Sequence, residues 1–319
     1  MKASHTPRAV FDDPNLVSSA GLVPVLQLAE SAGLHALLET HLSVVSPNAA
    51  AKASSVVGGM LAGADSIDDL DLLRHGAMGR LFGGVRAPST LGTFLRSFTH
   101  GHVQQLDAVN SRLIAGLATR CRGLIGDSGL VLIDVDDTIG QVHGYAKQAA
   151  AYGYSGVKGL NLQLATISTP VSAPVIAQAR LRAGNTASAA GAARLVAQAV
   201  TTVRRAGVTG QILARADSAY YGWAFVGAAL KTDAWFSVTA RMTPTVTAAI
   251  AGIAEPAWIP IRYPHAVYDQ DEDCYVSDAE VAETSFTAFP GRRSSEQVTC
   301  RLVVRRVRRL QPRKSDGSV

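Results

Sequence analysis

Two acid-bearing segments in this chain of 319 residues have the residue types and spacing to do chemistry. The first, Val131 to Gly144, reads VLIDVDDTIGQVHG, an apolar run that ends in Asp134, Asp136 and Asp137. Side chains alternate along a strand, so Asp134 and Asp136 share one face, with Asp136 roughly 7 Å nearer the strand's C-terminal end. Carboxylates there are costly unless a cation or hydrogen bonds compensate them. The second segment, Gln211 to Gly222, reads QILARADSAYYG and is another apolar strand ending in an acid, Asp217. Ligands of open α/β sheets gather at the carboxyl ends of strands. Two strand-end aspartates, 81 residues apart, are what a two-metal phosphoryl-transfer site requires, because Mg²⁺ takes few carboxylates and completes its shell with water and phosphate oxygens. Capping of the following turn explains either acid alone; the pair, on this strand order, favours chemistry.

A second chemistry fits the same residues. Asp134-Val135-Asp136-Asp137-Thr138 matches the DxDxT pattern of haloacid-dehalogenase-type phosphatases, in which the first Asp is the nucleophile and the second the acid/base. Those enzymes need a later pair of metal-binding acids, and RADSAYY offers one. Around the two segments, His143 can assist a phosphate or serve structure. Gly184-Asn185-Thr186 follows a strand and opens a helix, so its backbone N–H groups can face a DNA phosphate or simply form a turn. Arg215 and Tyr220 flank Asp217, and with Asn185 they are the weak candidates for DNA contact. The acids Asp65, Asp68, Asp69 and Asp71 with His75 read as caps and a solvated helix face. Cys121, Cys274 and Cys300 lack the CxxC spacing of a zinc site and read as reduced thiols.

The elements that position these residues follow from periodicity. Residues 1 to 20 have no hydrophobic period and read as a loose arm. Residues 21 to 125 read as a helical domain: Leu22, Val25, Leu26, Leu28, Ala29, Leu34, Leu37 and Leu38 recur at helical spacing. A helix begins at Pro88, with Leu91, Phe94, Leu95 and Phe98 as its apolar stripe, and another runs from about Val103 to Cys121. Beyond Gly126-Asp127-Ser128-Gly129 the pattern turns β-rich. Strands are expected at about 130–136, 160–168, 174–181, 210–216 and 233–239, and helices at 187–206 and 222–231. Three strands in a meander followed by alternating helix and strand form an α/β domain with a mixed sheet, over residues 126 to 254. Residues 255 to 319 form a β-rich insertion, with an acidic turn at Asp269, Asp271, Glu272 and Asp273 and the strand-like VTCRLVVRRV.

Composition bounds the class. With 47% hydrophobic and 17% charged residues the chain folds rather than staying disordered. Its apolar runs all stop short of the roughly 18 residues a membrane span needs, and no signal-peptide pattern opens it, so a cytoplasmic location is expected. The net charge of +5 is local: residues 301 to 319 hold seven Lys or Arg against one Asp. That basic tail either neutralises DNA phosphates or is a solvated strand.

The segments AGADSIDDLDLLRHGAM, APSTLGTFLRSFTHGHVQQLDAV, IDVDDT with VHG, and RADSAYYG occur in one order over Ser18 to Arg309. Together they resemble the DDE transposases of the insertion sequence 1380 family. That resemblance implies a ribonuclease-H-like core carrying two Asp and one Glu that hold Mg²⁺ or Mn²⁺ for DNA cleavage and strand transfer. By position the first acid is Asp136, with Asp134 as the alternative, and the second is Asp217. The third, a Glu on a helix after the insertion, has no counterpart before Val319, since Glu280 and Glu283 fall inside the insertion. The resemblance thus implies a truncated copy that does not cut or join DNA, or a non-catalytic DNA-binding remnant. It also implies that the helical domain of residues 21 to 125 binds DNA, with the terminal inverted repeats and target DNA as partners, as a homodimer at full length and in association with the bacterial nucleoid.

Overall fold

Apolar residues at helical spacing give way to runs of β-branched residues at residue 131, and the computed structural model follows that change. It describes residues 13–126, 129–144, 146–269 and 274–307. The arm ahead of Asp13, the boundary residues Asp127 and Ser128, the acidic turn through Asp271 and Asp273, and the basic tail beyond Val307 lie outside the described residues. Two compact units emerge, one of residues 1–216 with 228–237, the other of residues 217–227 with 238–319.

In the first unit six helices come first: α1 (Leu22–Ser31), α2 (Leu34–His41), α3 (Ala49–Leu61), α4 (Met78–Leu81), α5 (Pro88–Arg96) and α6 (His100–Arg120). Pro88 sits in the first turn of α5, where its missing N–H costs nothing. Thr99 caps α6 in a reciprocal capping box, its N–H donating to His102 Nδ1 at 3.0 Å. Leu34, Leu38, Leu42, Val44, Ala50, Phe94 and Val109 make one core, each large side chain worth about 1.5–3 kcal/mol of burial. Phe94 and Phe98 meet edge to face at 5.0 Å as part of that packing. Within residues 13–20, Val17 packs on a second cluster of Leu22, Leu73 and Met78, and the Ala77 N–H donates to Leu16 O at 2.7 Å.

The sheet of this unit contains β1 (Val131–Gln141), β2 (Ala151–Tyr152), β3 (Lys158–Ser168) and β4 (Val175–Ala183), then, after α7 (Ala192–Arg205), β5 (Ile212–Ala216). Following α8 (Trp223–Lys231) comes β6 (Trp235–Val238). The order is β2-β3-β1-β5-β6 with β4 also on β3. β1, β3 and β4 form the expected antiparallel meander, and β5 lies parallel to β1, so the sheet is mixed and the class α/β. α7 buries Leu195, Val196, Ala199, Val200 and Val203 and packs across β1, β3 and β4. Polar bonds tie α6 to the same layer: Asn110 Nδ2 donates to Ala177 O at 3.1 Å and Thr202 Oγ1 to Ser111 Oγ at 2.9 Å.

Two expected boundaries move, each for a physical reason. β1 does not end at Asp136 but runs on to Gln141, because β3 continues to pair with it from Leu164 back to Gly159. Its parallel partner β5 stops earlier, at Ala216 opposite Val135. The helix expected from residue 187 starts at Ala192, since the Arg182 guanidinium takes the carbonyls of Ala187, Ser188 and Ala190 that a helix would use.

Glycines let β2 lie close to its neighbours. A Cβ on Gly184 would fall 2.1 Å from Gly159 O and 2.4 Å from Ala151 O, and one on Gly153 would fall 2.4 Å from Gly184 O. Gly184→Ala is therefore expected to lower unfolding free energy by about 1–3 kcal/mol. Gly144→Ala, whose Cβ meets nothing within 4 Å, is the control. Equal urea midpoints for the two variants would refute the close packing.

In the second unit α9 (Pro244–Ala251) is capped by Thr243, and β7 (Ile259–Asp269), β8 (Cys274–Ala288) and β9 (Val298–Arg306) form an antiparallel sheet in that order. Val246, Phe286 and Ala288 make its core with Ile250, Phe289 and Leu302. Arg306 joins Glu255 at 2.8 Å and Glu280 at 2.7 Å, its guanidinium 4.0 Å from the Trp258 ring centre. Glu280 is thus part of an ion-pair cluster.

Candidate functional site

The pleat of β1 sorts its three aspartates. Val131, Ile133 and Val135 are buried, so Asp137 shares their face while Asp134 and Asp136 point from the other. β5 places Arg215 directly across from Asp134, and antiparallel β3 places Ser168 within reach. Arg215 grips Asp134 with two bonds, Nε to Oδ1 at 2.6 Å and a terminal nitrogen to Oδ2 at 2.9 Å, and the Ser168 hydroxyl donates to Oδ2 at 2.8 Å. Both oxygens of Asp134 are therefore engaged in a bidentate, charge-assisted pair. Burial pushes this carboxyl up, but the Arg215 and Ser168 hydrogen bonds and the Arg215 charge together outweigh it and hold it below the usual carboxylate range. The hydrogen bonds to Asp134 and its charge raise Arg215.

Because the folded pKa of Asp134 is lowered, its contribution to stability is complete above the unfolded value of about 3.9 and is lost as pH falls through the lower folded value. Solvent screens the pair, which limits that contribution to about 1 kcal/mol. Asp134→Asn should accordingly flatten the acid limb of a stability–pH curve below pH ~4. An acid limb unchanged by the substitution would show that the pair contributes nothing.

Asp137 belongs to the layer beneath α7. It accepts from Asn161 Nδ2 and pairs with Arg182 at 3.3 Å, both charged side chains being only 11% exposed. Arg182 also donates to Asn161 Oδ1 at 2.6 and 2.9 Å, so one guanidinium joins β1, β3 and the turn before α7. This is a structural brace.

Asp136 differs from both. It is exposed, its Oδ1 accepts the Asp137 N–H at 2.8 Å, and among the described residues Oδ2 accepts no hydrogen bond. It is also the first residue of β1 beyond the stretch paired with β5. In the second unit Asp217 has a like pattern: Oδ1 accepts the Ala219 N–H at 2.9 Å as cap of a short 3-10 turn, and among the described residues Oδ2 is not engaged. Each carboxylate is oriented by one backbone bond and presents one oxygen outward, which suits a hard cation that keeps most of its waters. Among the described residues no three His, Cys, Asp or Glu side chains cluster as a ready metal centre.

The remaining candidates separate by burial. Tyr220 is fully buried, so it presents no surface to DNA, and Arg215 is committed to Asp134. Asn185 is exposed in the turn after β4, but that turn does not open α7. His143 lines a cleft with Tyr152 and Lys158. Asp69 and Ser66 bond each other at 2.6 Å and Asp71 pairs with Arg74, the solvated helical face expected there. Sequence reasoning missed the partners Ser168, Asn161 and Arg182; Asn161 and Arg182 carry the signal of polar residues at inward-facing strand positions, while Ser168 shares the open face of Asp134.

The protein-family model described as transposase DDE domain group 1 matches residues 2–304. No curated protein and no solved structure matches the chain.

Proposed function

Because the chain belongs to the DDE transposase domain family, group 1, we propose that it acts on the ends of an insertion sequence, with Asp136 and Asp217 as two of the acids that hold Mg²⁺ or Mn²⁺. The observation that carries this assignment is the register of two parallel strands. Val135 lies opposite Ala216, and the residues that follow them in the chain are Asp136 and Asp217. The pattern of engaged and outward oxygens supports Asp136 over Asp134 as first acid, since a carboxylate gripped by Arg215 and Ser168 would have to give up those bonds to take a metal. No third acid is assigned. When bound, the cation supplies Lewis-acid activation of the phosphoryl group and of the attacking oxygen. Asp134 and Arg215 fix β5 against β1, and so hold the paired stretch that the two acids follow. The helices of residues 21 to 125 are the proposed DNA-reading part, and the sheet with the elements around it the ribonuclease-H-like part, within the insertion sequence 1380 group.

The phosphatase alternative draws no support from the family match, and it needs Asp134 as a free nucleophile, whereas both oxygens of Asp134 are engaged. The test is to titrate the full chain against a duplex bearing the element's terminal repeat, with Mn²⁺ or with chelator, beside turnover of p-nitrophenyl phosphate. Metal-strengthened binding of the repeat over random duplex, without ester hydrolysis, is the expected result. Ester hydrolysis without DNA binding would overturn the proposal in favour of the phosphatase.

A further inference from the structure

The segment from Thr138 to Leu160 contains no Asp or Glu, but holds His143, Lys147, Lys158 and three of the chain's eight tyrosines. Tyr152 is 70% exposed and Tyr154 is as exposed as a side chain becomes, at 110%. Among the described residues these are the two most exposed aromatic rings. Leaving such rings in water forgoes roughly 1.5–3 kcal/mol of burial apiece, and a stretch of chain that has lysines and no acids is where a polyanion would cover them. Tyr152 lies across from Lys158 in the β2–β3 pair, so a flat ring and a cationic side chain stand side by side. Both line a cleft of about 370 Å³ together with Gln141 and His143.

The tip is built rather than loose. The close glycine approaches at Gly153, Gly159 and Gly184 seat β2, and the Gly156 N–H donates to Gly153 O at 3.1 Å, closing the turn that presents Tyr154. The Val157 N–H adds a bond to Ser155 Oγ at 3.3 Å.

We propose that this tip is a base-stacking site for single-stranded DNA, in which Tyr152 and Tyr154 stack unpaired bases and Lys158 meets the adjacent phosphate. The inference rests on the reading of the chain as a DNA-end-processing protein. A duplex hides its base faces, so only a frayed or displaced strand can use exposed rings this way. Gln141, which lies opposite Gly159 at the base of the tip, is five residues beyond Asp136 on β1, a distance of roughly 17 Å.

The test uses the full chain and a fluorescein-labelled oligothymidylate, the same oligonucleotide annealed to its complement, and oligouridylate. Tyr152→Ala and Tyr154→Ala should each weaken binding of the single strand by about tenfold, with Phe at either position restoring it. Lys158→Gln should reduce the slope of log affinity against log salt by about 0.7. Duplex affinity should stay within twofold for the tyrosine variants, and unchanged circular dichroism checks their fold. Alanine variants that bind the single strand like the wild type would overturn the stacking site and leave the DNA reading intact. A wild-type chain that binds neither DNA form would overturn both. Preference for oligouridylate, lost in the alanine variants, would overturn the assignment to DNA and give the tip to RNA.

Discussion

Replacing Asp136 or Asp217 by Asn should lower Mn²⁺ affinity, read by electron paramagnetic resonance, at least tenfold, since Asn keeps the shape but removes the charge that a hard cation seeks. Asp134→Asn should change it less than threefold, because Asp134 already spends both oxygens on Arg215 and Ser168. Any metal-dependent nicking of DNA by the chain should fall in the same order, by roughly a thousandfold for Asp136→Asn, as when an electrostatic group is removed from a phosphoryl-transfer site. Should Asp134→Asn abolish metal binding while Asp136→Asn leaves it intact, the first acid is Asp134 and the ion pair must open in use.

The second large effect is on stability. Removing one member of the brace beneath α7, by Arg182→Ala or Asp137→Ala, leaves a buried charge without its partner and should cost about 3–5 kcal/mol. Both groups are only 11% exposed, which is why this pair counts where a surface pair would not. The apolar double variant Asp137→Leu with Arg182→Met should cost far less, about 1 kcal/mol, because no charge is left stranded. Urea unfolding of the three variants decides. A double variant as unstable as the singles would mean that the Arg182 bonds to Asn161 and to the turn carbonyls, not its charge, hold the layer together.

Much of the fold was legible because its signals are local. Three-to-four spacing marked α1 and α2, Pro88 marked the start of α5, and the apolar runs ahead of Asp134 and Asp217 marked β1 and β5. What was not legible depended on partners distant in sequence. The polar half of β1, Thr138 to Gln141, has no apolar alternation, yet it is strand because β3 supplies its hydrogen bonds. The late start of α7 is written in Arg182, whose reach to three carbonyls no local pattern encodes. Likewise the three aspartates of IDVDD look alike in sequence. Only the register that sets Arg215 against Asp134, and the packing that brings Arg182 to Asp137, gives them different work.

That division of labour also sets how β1 meets a polyanion. Read as a string, the strand offers three negative charges within four residues, and duplex DNA carries a phosphate charge about every 1.7 Å of its axis. Three bare carboxylates would repel it. Arg215 and Arg182 turn two of them into short dipoles, with charges 2.6 and 3.3 Å apart. A dipole's field dies away faster with distance than a lone charge's, and at physiological salt even the latter is screened over about 8 Å. An approaching backbone therefore senses little more than one monopole, at Asp136, and that is the charge a bridging cation would cancel.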